Sequence, residues 1–446
     1  MANLGLKERY DFQQWIIKDL KDKNGYIQRD NAQYNPRLAM DEELLWDFLM
    51  ETQEETMDYL LKKLSKETII TLINKEIVKG GFLFALKEGV FIENKQLRLL
   101  YRKPATSFNE KAVQQYKANR LSVIEEVVYE EGGRIDLVIF INGLALFAIE
   151  LKFNPSGQSV QDAIKQLKGR NPNNRLFRFE QGVLASFAVD TMEIYMTTQL
   201  KGQETYFLPF NMGKGEGIDM GSGNPHNPNG VDTEYLWLDV LTKDSILQLI
   251  ESFIFFELDK NDSKKRTLIF PRYHQRRAVS RLLEDMKVNH TDSNYLIQHS
   301  AGSGKTNTIA WLAHSLVSLH DDQNRNIVDT VLIVTDRIVV DRQLQDAVKQ
   351  INHKNGVVKV MGDRETSSDL ADAIAGNTKI IATTIHKFAQ INQSNWMSVG
   401  NTAKKKFAIL IDEAHSSTTG SYMSSVSQVL TETDTEDGTI DEIQEV

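Results

Sequence analysis

Three short groups of residues in this 446-residue chain have types and spacings that suit chemistry on phosphates. The segment HSAGSGKT occupies residues 299–306, and the segment DEAH at residues 412–415 closes the apolar run FAILI. Far before them, Asp136 precedes the triplet Glu150-Leu151-Lys152. The first two groups are typical of nucleotide binding and hydrolysis, whereas the third is typical of metal-dependent cleavage of a phosphodiester.

The segment at residues 299–306 predicts a phosphate-binding loop, because it follows an apolar run and precedes a helical pattern. Glycines let backbone N–H groups approach phosphates, and the N-terminus of the next helix adds a favourable potential. Lys305 would neutralise the β- and γ-phosphates of ATP, and the Thr306 hydroxyl would bind Mg²⁺. His299 stands where the usual pattern has its first glycine, so a glycine-rich turn without a ligand is the alternative. The predicted ATP ligands here are Gly302, Ser303, Gly304, Lys305 and Thr306.

Asp412 and Glu413 follow a buried-strand pattern, at the end of the strand where open α/β sheets bind their ligands. Asp412 would hold the Mg²⁺ of ATP through water. Glu413 would orient and polarise the attacking water, which is most of what a protein can do for phosphoryl transfer. A chance Asp-Glu pair at a strand end is the alternative, and the phosphate loop upstream makes it the weaker one.

Asp136, Glu150 and Lys152 predict a nuclease site. Two carboxylates would fix a divalent cation that stabilises charge on the scissile phosphate, and the lysine would position or activate the attacking water. A structural salt bridge is the alternative. The triplet Glu93-Asn94-Lys95 shows how easily the E-x-K spacing occurs, although no acid precedes it at hairpin distance.

The strand pattern sets a geometric condition on this site. Glu150 and Lys152 lie two apart and therefore share a face of their strand. A two-residue loop at Asn142-Gly143 would pair Asp136 with Ile149 and turn it to the other face. A three-residue loop over residues 141–143, with Gly143 left-handed, would pair Asp136 with Ala148 and bring all three groups to one face. We therefore predict the three-residue bulged loop.

The elements that carry these groups fall into two texturally different halves. The first half shows helical spacing over residues 41–66, 161–167 and 236–258, strand patterns over 127–129, 135–141 and 144–153, and a Gly/Asn/Pro-rich loop over 213–230. A polar, charged segment at residues 259–266 predicts the domain boundary. Two α/β domains are expected, at residues 1–258 and 259–446.

In the second half, short apolar runs alternate with helical patterns. The runs lie at residues 295–298, 330–335, 379–383 and 407–411, and the helix after the phosphate loop is predicted over 307–319. This alternation predicts a parallel sheet covered on both faces.

Composition excludes some classes of protein and leaves others open. There is no cysteine, which excludes disulfides and thiolate metal sites; with a charged N-terminus and no long apolar run, this fits a cytoplasmic protein without a membrane span. The net charge is −9, but the tail 431–446 contains seven acidic residues and no basic ones. A nearly neutral body can carry a local basic groove, so DNA binding is neither supported nor excluded.

The DEAH and GSGKT segments resemble those of superfamily 2 helicases and translocases, whose motor domains are RecA-like. The resemblance implies that Gln275 reads the adenine edge, and that the segments TDR at 335–337 and TTIHKF at 383–388 contact DNA. The family pattern needs a second RecA-like domain, and this chain stops soon after DEAH. We therefore expect ATP binding with little or no turnover.

Asp136, Glu150 and Lys152 resemble the PD-(D/E)xK nuclease pattern, with Arg134-Ile135 in place of the usual proline. The segments RIDLV at 134–138, NGL at 142–144, AIELK at 148–152 and LPFN at 208–211 resemble the restriction (motor and nuclease) subunit HsdR of type I restriction–modification enzymes. The resemblance runs from about Asn119 onward. The family often has Gln-x-x-x-Tyr after the lysine, and here Gln166 is present but Arg170 replaces the tyrosine.

This second resemblance implies a PD-(D/E)xK nuclease-like α/β domain followed by the RecA-like domain, with ATP and Mg²⁺ as cofactors. It implies ATP-driven translocation on double-stranded DNA and cleavage away from the recognition site. Gln166 would orient the metal site or a phosphate, or else lie on a solvated helix face; Arg170 would contact the DNA backbone or simply face water. The partners would be DNA and separate methyltransferase (M) and specificity (S) subunits.

Two other functions remain open from the sequence. One is a helicase–nuclease in repair or defence that works without methyltransferase partners. The other is a DNA-binding and ATP-sensing module whose nuclease is degenerate.

Overall fold

The computed structural model describes residues 9–104, 108–215, 222–259, 262, 265–290, 294–299, 302–321, 323–335, 342–351, 357–362, 364–389 and 405–412. The chain divides into two compact units, residues 1–277 and 278–446. Among the helices so described, none combines the length and the apolar character that crossing a bilayer requires.

The first unit is a mixed α/β structure. Its α-helices are α1 (Arg9–Asn24), α2 (Glu42–Thr52), α3 (Glu54–Leu61), α4 (Lys66–Gly80), α5 (Phe82–Glu88), α6 (Glu110–Lys117), α7 (Val160–Lys168), α8 (Lys243–Gln248) and the start of α9 (Tyr273–Asn289). Its strands are β1 (Ile27–Arg29), β2 (Tyr34–Asn35), β3 (Met40–Asp41), β4 (Val90–Ile92), β5 (Lys95–Leu97), β6 (Leu121–Glu130), β7 (Gly133–Ile141), β8 (Leu144–Leu151), β9 (Ala185–Val189), β10 (Ile194–Thr197), β11 (Leu208–Pro209), β12 (Phe255–Leu258) and β13 (Arg266–Ile269). Two π-helices span Leu236–Val240 and Leu249–Phe253.

The main sheet of this unit runs in the order β1-β6-β7-β8-β9-β10-β11. The long strands β6, β7 and β8 are antiparallel neighbours, whereas β9 pairs with β8 in parallel. A parallel pair requires a crossover connection, and α7 lies within the one that joins β8 to β9. The sheet therefore has its longest strands at the centre, with α7 directly after β8.

The turn between β7 and β8 has two residues, so the predicted three-residue loop is wrong. Asn142 and Gly143 have φ of +48° and +80°, as in the mirror-image turns that match the twist of a hairpin. The register then shifts once: Phe140 pairs with Ala145, but Ile139 pairs with Phe147. The extra residue on β8 is Leu146.

This bulge restores the shared face by a different route from the one predicted. Leu137 pairs with Ile149, so continuing the register places Asp136 across from Glu150. Without the extra residue, Asp136 would lie across from Ile149 and point to the other face. The carbonyl of Leu146 accepts a hydrogen bond from Leu184 N at 2.9 Å, which ties the bulge to the segment before β9.

Different side chains cover the two faces of the sheet. On the face that carries Val138 and Ala148, the core includes Ala163 and Leu167 of α7. On the other face, aromatic rings pack edge-on at centroid distances of 5.5–6.1 Å, and their members are Phe147, Phe187, Phe210 and Phe270. Both layers are apolar, so a charged group between sheet and helix must find partners locally.

The compact units separate after Arg277 rather than at the polar segment 259–266. Leu258, just before that segment, pairs with Arg266 at its end, so β12 and β13 on its two sides form one hairpin. Beyond it, Phe270 packs against the aromatic face of the first sheet, and Arg276 bonds both carboxylate oxygens of Asp239 at 2.9 Å. These contacts keep residues 266–277 in the first unit although the chain is polar before them.

Two helical patterns are interrupted by tertiary pairing. The predicted helix over residues 41–66 breaks at Gln53, whose side-chain amide accepts from Arg98 N at 2.8 Å and donates to Arg98 O at 2.9 Å. The pattern over residues 236–258 forms π-helix, α8 and a second π-helix, and its last four residues are strand β12 instead. Periodicity depends only on spacing along the chain, so it predicts neither the Gln53–Arg98 pairing nor the pairing of β12 with β13.

The second unit contains a parallel sheet, as the alternating pattern predicted. Its helices are the remainder of α9, α10 (Lys305–Leu316), α11 (Arg342–Ile351), α12 (Ser367–Ala375) and α13 (Ile385–Ala389); its strands are β14 (Thr330–Thr335), β15 (Val358–Val360), β16 (Ile380–Thr384) and β17 (Phe407–Asp412). The strand order is β15-β16-β14-β17, and every pair is parallel.

Two details of the second unit differ from the sequence-based expectation. Strand β15 was not predicted, since three residues are too few for a period to register. The predicted strand at residues 295–298 is not a strand: no strand of the described residues pairs with it, and Leu296 is 87% exposed. An apolar run needs a ladder partner as well as a pattern.

The hairpin turn that sets the register gives a first prediction. A Cβ at Gly143 would lie 2.2 Å from Asp41 O and 2.7 Å from Leu45 N, at a φ of +80°. We expect Gly143→Ala to destabilise the first unit by roughly 3 kcal/mol or more, because steric conflict adds to the cost of a left-handed alanine. Gly157→Ala is the matched control, since Gly157 has φ +81° with nothing within 4 Å. It should cost only about 1 kcal/mol. Urea unfolding followed by circular dichroism measures both; equal losses would contradict the role given to the turn.

Candidate functional site

The predicted nuclease residues come from three adjacent elements of the first unit. Asp136 lies on β7, Glu150 on β8, Lys152 directly after β8, and Gln166 in the last turns of α7. The chain is extended at Lys152 because its backbone N–H donates to Val189 O at 2.8 Å and so continues the pairing with β9. The structure therefore brings all four groups to one face of the sheet, beneath the C-terminal half of α7.

The two carboxylates are buried at the centre of this face. Glu150 has no exposed surface, and Asp136 is 5% exposed. Asp136 accepts a hydrogen bond from Leu151 N at 2.7 Å, so it bridges from β7 to the strand that carries Glu150. Buried ionised groups occur almost only with compensating partners, and Glu150 has two.

The first partner of Glu150 is Lys152. Its ammonium group lies 3.2 Å from Glu150 Oε1, 3.1 Å from Leu151 O and 2.8 Å from Gln166 Oε1. An ammonium group has three donors, so these three acceptors use all of them. Gln166 is exposed on its helix, yet its side-chain oxygen holds Lys152 in place.

The second partner is Arg170, which follows α7 by two residues. Its Nη2 donates to Glu150 Oε2 at 2.8 Å, and its Nη1 donates to the hydroxyl of Tyr129 at 3.1 Å. The Arg170 side chain is only 12% exposed, so the simple solvent-facing reading is wrong. Tyr129 was not singled out from the sequence, because an aromatic residue in an apolar strand resembles any core residue.

The electrostatics of this cluster fit a divalent cation. Burial, together with the negative charge of Asp136, raises the pKa of Glu150 above its ordinary value, while Lys152 and Arg170 act in the opposite direction. Two carboxylates that repel each other in a poorly solvated place, with hard oxygen donors, suit Mg²⁺. Among the described residues no cluster of three or more Asp, Glu or His side chains forms a metal cage. Water and substrate oxygens would have to complete the shell, as is usual for Mg²⁺.

A cavity of about 540 Å³ opens beside this cluster. Arg170 and Gln166 belong both to its lining and to the hydrogen-bond network of Glu150 and Lys152. The other lining residues come from the β6–β7 turn and from α7, namely Tyr129, Glu130, Glu131, Gly132, Gly133, Asp162, Lys165 and Gly169. Arg170 and Gln166 therefore link the buried cluster to an open, polar space that the carboxylates themselves do not line.

Two glycines of the predicted phosphate loop in the second unit have a left-handed backbone. Gly302 and Gly304 have φ of +73° and +85°, and α10 begins at Lys305, directly after Gly304. A Cβ at Gly302 would meet nothing within 4 Å, which leaves space above the backbone. Ser303 is buried, with its hydroxyl 3.2 Å from His299 Nδ1. Thr306 lies in the first turn of α10 and is half-buried.

The carboxyl ends of the parallel strands meet this loop. Thr335 of β14 pairs with both Thr384 and Asp412, the last residues of their strands. The ammonium group of Lys305 lies 3.8 Å from Asp412 Oδ1. The predicted phosphate-binding lysine and the predicted Mg²⁺ ligand are therefore neighbours at one edge of the sheet, where such folds bind ligands.

The remaining motor residues are placed less uniformly. Gln275 is 4% exposed, and its Oε1 accepts from Arg272 N at 2.9 Å, as in half of a capping box at the start of α9. Thr383 and Thr384 are buried, and Lys387 donates to main-chain carbonyls, Glu365 O among them at 2.8 Å. Glu413, His415, Asp336 and Arg337 lie outside the described residues.

Two family models match this chain. Residues 6–205 match the model described as the type I restriction enzyme R protein N terminus. Residues 274–435 match the model described as SWI2/SNF2 ATPase. The first match contains the Asp136–Glu150–Lys152 cluster, and the second contains the phosphate loop and the DEAH segment.

Similar relatives carry names of one kind. A protein of Methanocaldococcus jannaschii, provisionally named as the MjaVIIIP endonuclease subunit of a type I restriction enzyme, is 25% identical over 433 residues, covering 92% of this chain and 39% of its own length. The SauCOLORF180P endonuclease subunit of a type I restriction enzyme from Staphylococcus aureus is 26% identical over 307 residues, covering 68% of this chain and 30% of its own length. This chain thus spans 30–39% of these two relatives.

The buried ion cluster gives a second prediction. We expect Glu150→Gln to destabilise the first unit by about 3–5 kcal/mol, because it leaves buried cations without their carboxylate. Lys152→Met should also destabilise it, whereas the double variant should lose clearly less than the sum of the two. Urea unfolding in EDTA measures this coupling. The exposed pair Lys63–Glu93, at 3.7 Å, is the control and should show little or no coupling, because water and salt screen exposed ion pairs. Additive losses at Glu150 and Lys152 would contradict the interpretation of the cluster.

Proposed function

We propose, from the premise that residues 6–205 are an HsdR N-terminal region, that the chain is part of the motor and nuclease subunit of a type I restriction enzyme. The proposed activity is ATP-dependent translocation on double-stranded DNA coupled to metal-dependent cleavage away from the recognition site. The first unit would cut, as a nuclease of the PD-(D/E)xK type. The second unit would be the first RecA-like domain of the motor.

One observation supports the nuclease most strongly: Asp136 and Glu150 face each other from paired strands, with Lys152 on the same face and bonded to Glu150. Burial and the negative charge of Asp136 both oppose the ionisation of Glu150 and raise its pKa, and Lys152 and Arg170 offset only part of this cost. That arrangement is expected where a divalent cation is to bind.

Asp136 and Glu150 would hold Mg²⁺, which would stabilise negative charge on the scissile phosphate. Lys152 would position the attacking water and favour its deprotonation through its own positive charge. Gln166 would keep Lys152 in place, since its oxygen holds the ammonium group at 2.8 Å. Asp136 would keep β7 and β8 in register at the site through its bond to Leu151 N.

For the motor, we propose that the loop from Gly302 to Thr306 binds the triphosphate of ATP. Lys305 would leave Asp412 for the β- and γ-phosphates, because phosphate offers more charge than the carboxylate 3.8 Å away. Thr306 and Asp412 would hold the Mg²⁺ of ATP, and Glu413 would orient the attacking water. Gln275 would contact the adenine with its amide.

The proposed partners are double-stranded DNA and the methyltransferase and specificity subunits of the complex. None of the residues assigned above is placed to read base edges, so target recognition is assigned to another subunit. The names of the relatives support this assembly, since each is named as one subunit of a type I enzyme.

Removal of either carboxylate gives a third prediction. In the assembled enzyme with ATP and Mg²⁺, Glu150→Ala and Asp136→Asn should each lower plasmid cleavage at least about 100-fold, because a metal ligand that stabilises transition-state charge is lost. ATP hydrolysis should persist. Glu93→Ala is the matched control, since Glu93 belongs to the other E-x-K triplet and is exposed. Undiminished cleavage by the Glu150→Ala enzyme would favour the degenerate-nuclease function.

The phosphate loop gives a fourth prediction. Lys305→Ala should weaken Mg²⁺–ATP binding by about 10- to 150-fold, the worth of one hydrogen bond to a charged group, while the fold stays intact. Titration with a fluorescent ATP analogue measures the affinity, and circular dichroism checks the fold. Lys287→Ala, at an exposed position of α9 in the same unit, should bind like the unaltered chain. Equal affinities for the two variants would remove Lys305 from the site.

A further inference from the structure

Arg170 lies at the border between the buried carboxylate and the open cavity. Its side chain is 12% exposed, against 0% for Glu150 and 6% for Lys152. It lines the cavity of about 540 Å³ and bonds Glu150 at the same time. Of the two cations on Glu150, Arg170 is therefore the one with access to a molecule in the cavity.

The two cations are held very differently. The Lys152 ammonium group donates to three protein acceptors, two of which belong to residues other than Glu150. Arg170 makes one bond to Glu150 and one to the Tyr129 hydroxyl, and its Nε is buried without a hydrogen-bond partner. A guanidinium group carries five N–H donors, so Arg170 is under-satisfied where it lies. An unsatisfied buried donor is costly and favours a move towards an acceptor.

A divalent cation on Glu150 would disturb Arg170 first. The cation needs a carboxylate oxygen, and its two charges repel a guanidinium on the same carboxylate. Lys152 would keep Leu151 O and Gln166 Oε1 if Glu150 were taken. Arg170 would keep only Tyr129, whose ring centroid lies 5.6 Å from the guanidinium carbon and whose hydroxyl bonds Nη1. Tyr129 can therefore hold one side of the Arg170 guanidinium group while the other N–H donors of Arg170 turn to the cavity.

We propose that Arg170 is a phosphate-binding residue of this site, which holds Glu150 while no divalent cation is bound and transfers to a DNA phosphate in the cavity once the cation occupies Glu150. This inference rests on the nuclease function proposed above. The guanidinium fork matches two phosphate oxygens, and a half-buried position strengthens a charged hydrogen bond. Binding of the divalent cation and binding of the DNA strand are thereby coupled through Arg170.

Of the two basic residues that line the cavity, Arg170 fits the metal-dependent role better than Lys165. Lys165 also lines the cavity, but it is exposed and is not among the residues that bond Glu150. Glu130 and Glu131 from the β6–β7 turn make the lining acidic in part, so a phosphate needs a specific donor rather than a general positive field. A contact from Lys165 would add affinity whether or not the metal is present, whereas a contact from Arg170 would depend on the metal.

The test measures how much a divalent cation tightens DNA binding. Ca²⁺ is used because it commonly supports binding in place of Mg²⁺, and EDTA provides the metal-free state. The affinity of the chain for a short fluorescent duplex is measured in both conditions, without ATP. The Glu150→Ala chain gives the baseline at a temperature where thermal unfolding shows it to be folded. We expect the Ca²⁺-dependent gain of the unaltered chain to fall by about tenfold or more in Arg170→Gln, the worth of a charge-assisted hydrogen bond. Arg170→Lys should keep part of the gain, since charge remains but the fork is lost.

Lys165→Gln is the matched control and should leave the Ca²⁺-dependent gain unchanged. If Arg170 only neutralises Glu150, its removal eases metal binding, and Arg170→Gln would show an equal or larger gain; that result overturns the inference. If the unaltered chain shows no gain beyond the Glu150→Ala baseline, the proposed nuclease site itself fails. Thermal unfolding confirms that Arg170→Gln is folded, and the Arg170→Lys result decides the question should the glutamine variant not fold.

Discussion

The candidate nuclease site depends on the register of one β-hairpin. With the extra residue Leu146 in β8, Asp136 lies across from Glu150. Without it, Asp136 would point to the aromatic layer on the other face of the sheet. Because side chains alternate with a period of two, no smaller adjustment can achieve this. The turn is held by contacts far along the chain: Asn142 bonds Leu99 and Asn119, and Gly143 O accepts from Asp41 N at 2.7 Å.

Once the register is set, the burial of Glu150 determines what the site needs. A carboxylate without exposed surface requires compensating charge, and Lys152 and Arg170 supply it from two directions. Asp136 adds a second negative charge beside Glu150. Burial and the charge of Asp136 together raise the pKa of Glu150, and the positive charge of a divalent cation would offset both effects.

The second unit also brings polar side chains together at one place, but it does so without a change of register. There the strands are parallel, so their carboxyl ends collect Thr335, Thr384 and Asp412 at one edge without any bulge. Two glycines with positive φ then shape a loop that ends at the N-terminus of α10. The Lys305 ammonium group lies 3.8 Å from Asp412 Oδ1. In both units a lysine beside a carboxylate marks the place where a phosphate and a metal are proposed to bind.

The sequence alone supplied the candidate site residues and several of the strands. Motif spacing singled out Asp136, Glu150, Lys152 and the predicted phosphate loop as candidates, and the apolar runs predicted β14, β16 and β17 to within one residue, because strand patterns are local properties of the chain. The tertiary structure decided what depends on distant partners. It placed the bulge at Leu146, broke the helix at Gln53 by pairing with Arg98, and left residues 295–298 out of the sheet. It also brought Tyr129 and Arg170 to the buried carboxylate, a meeting between β6 and the end of α7 that no spacing along the chain encodes.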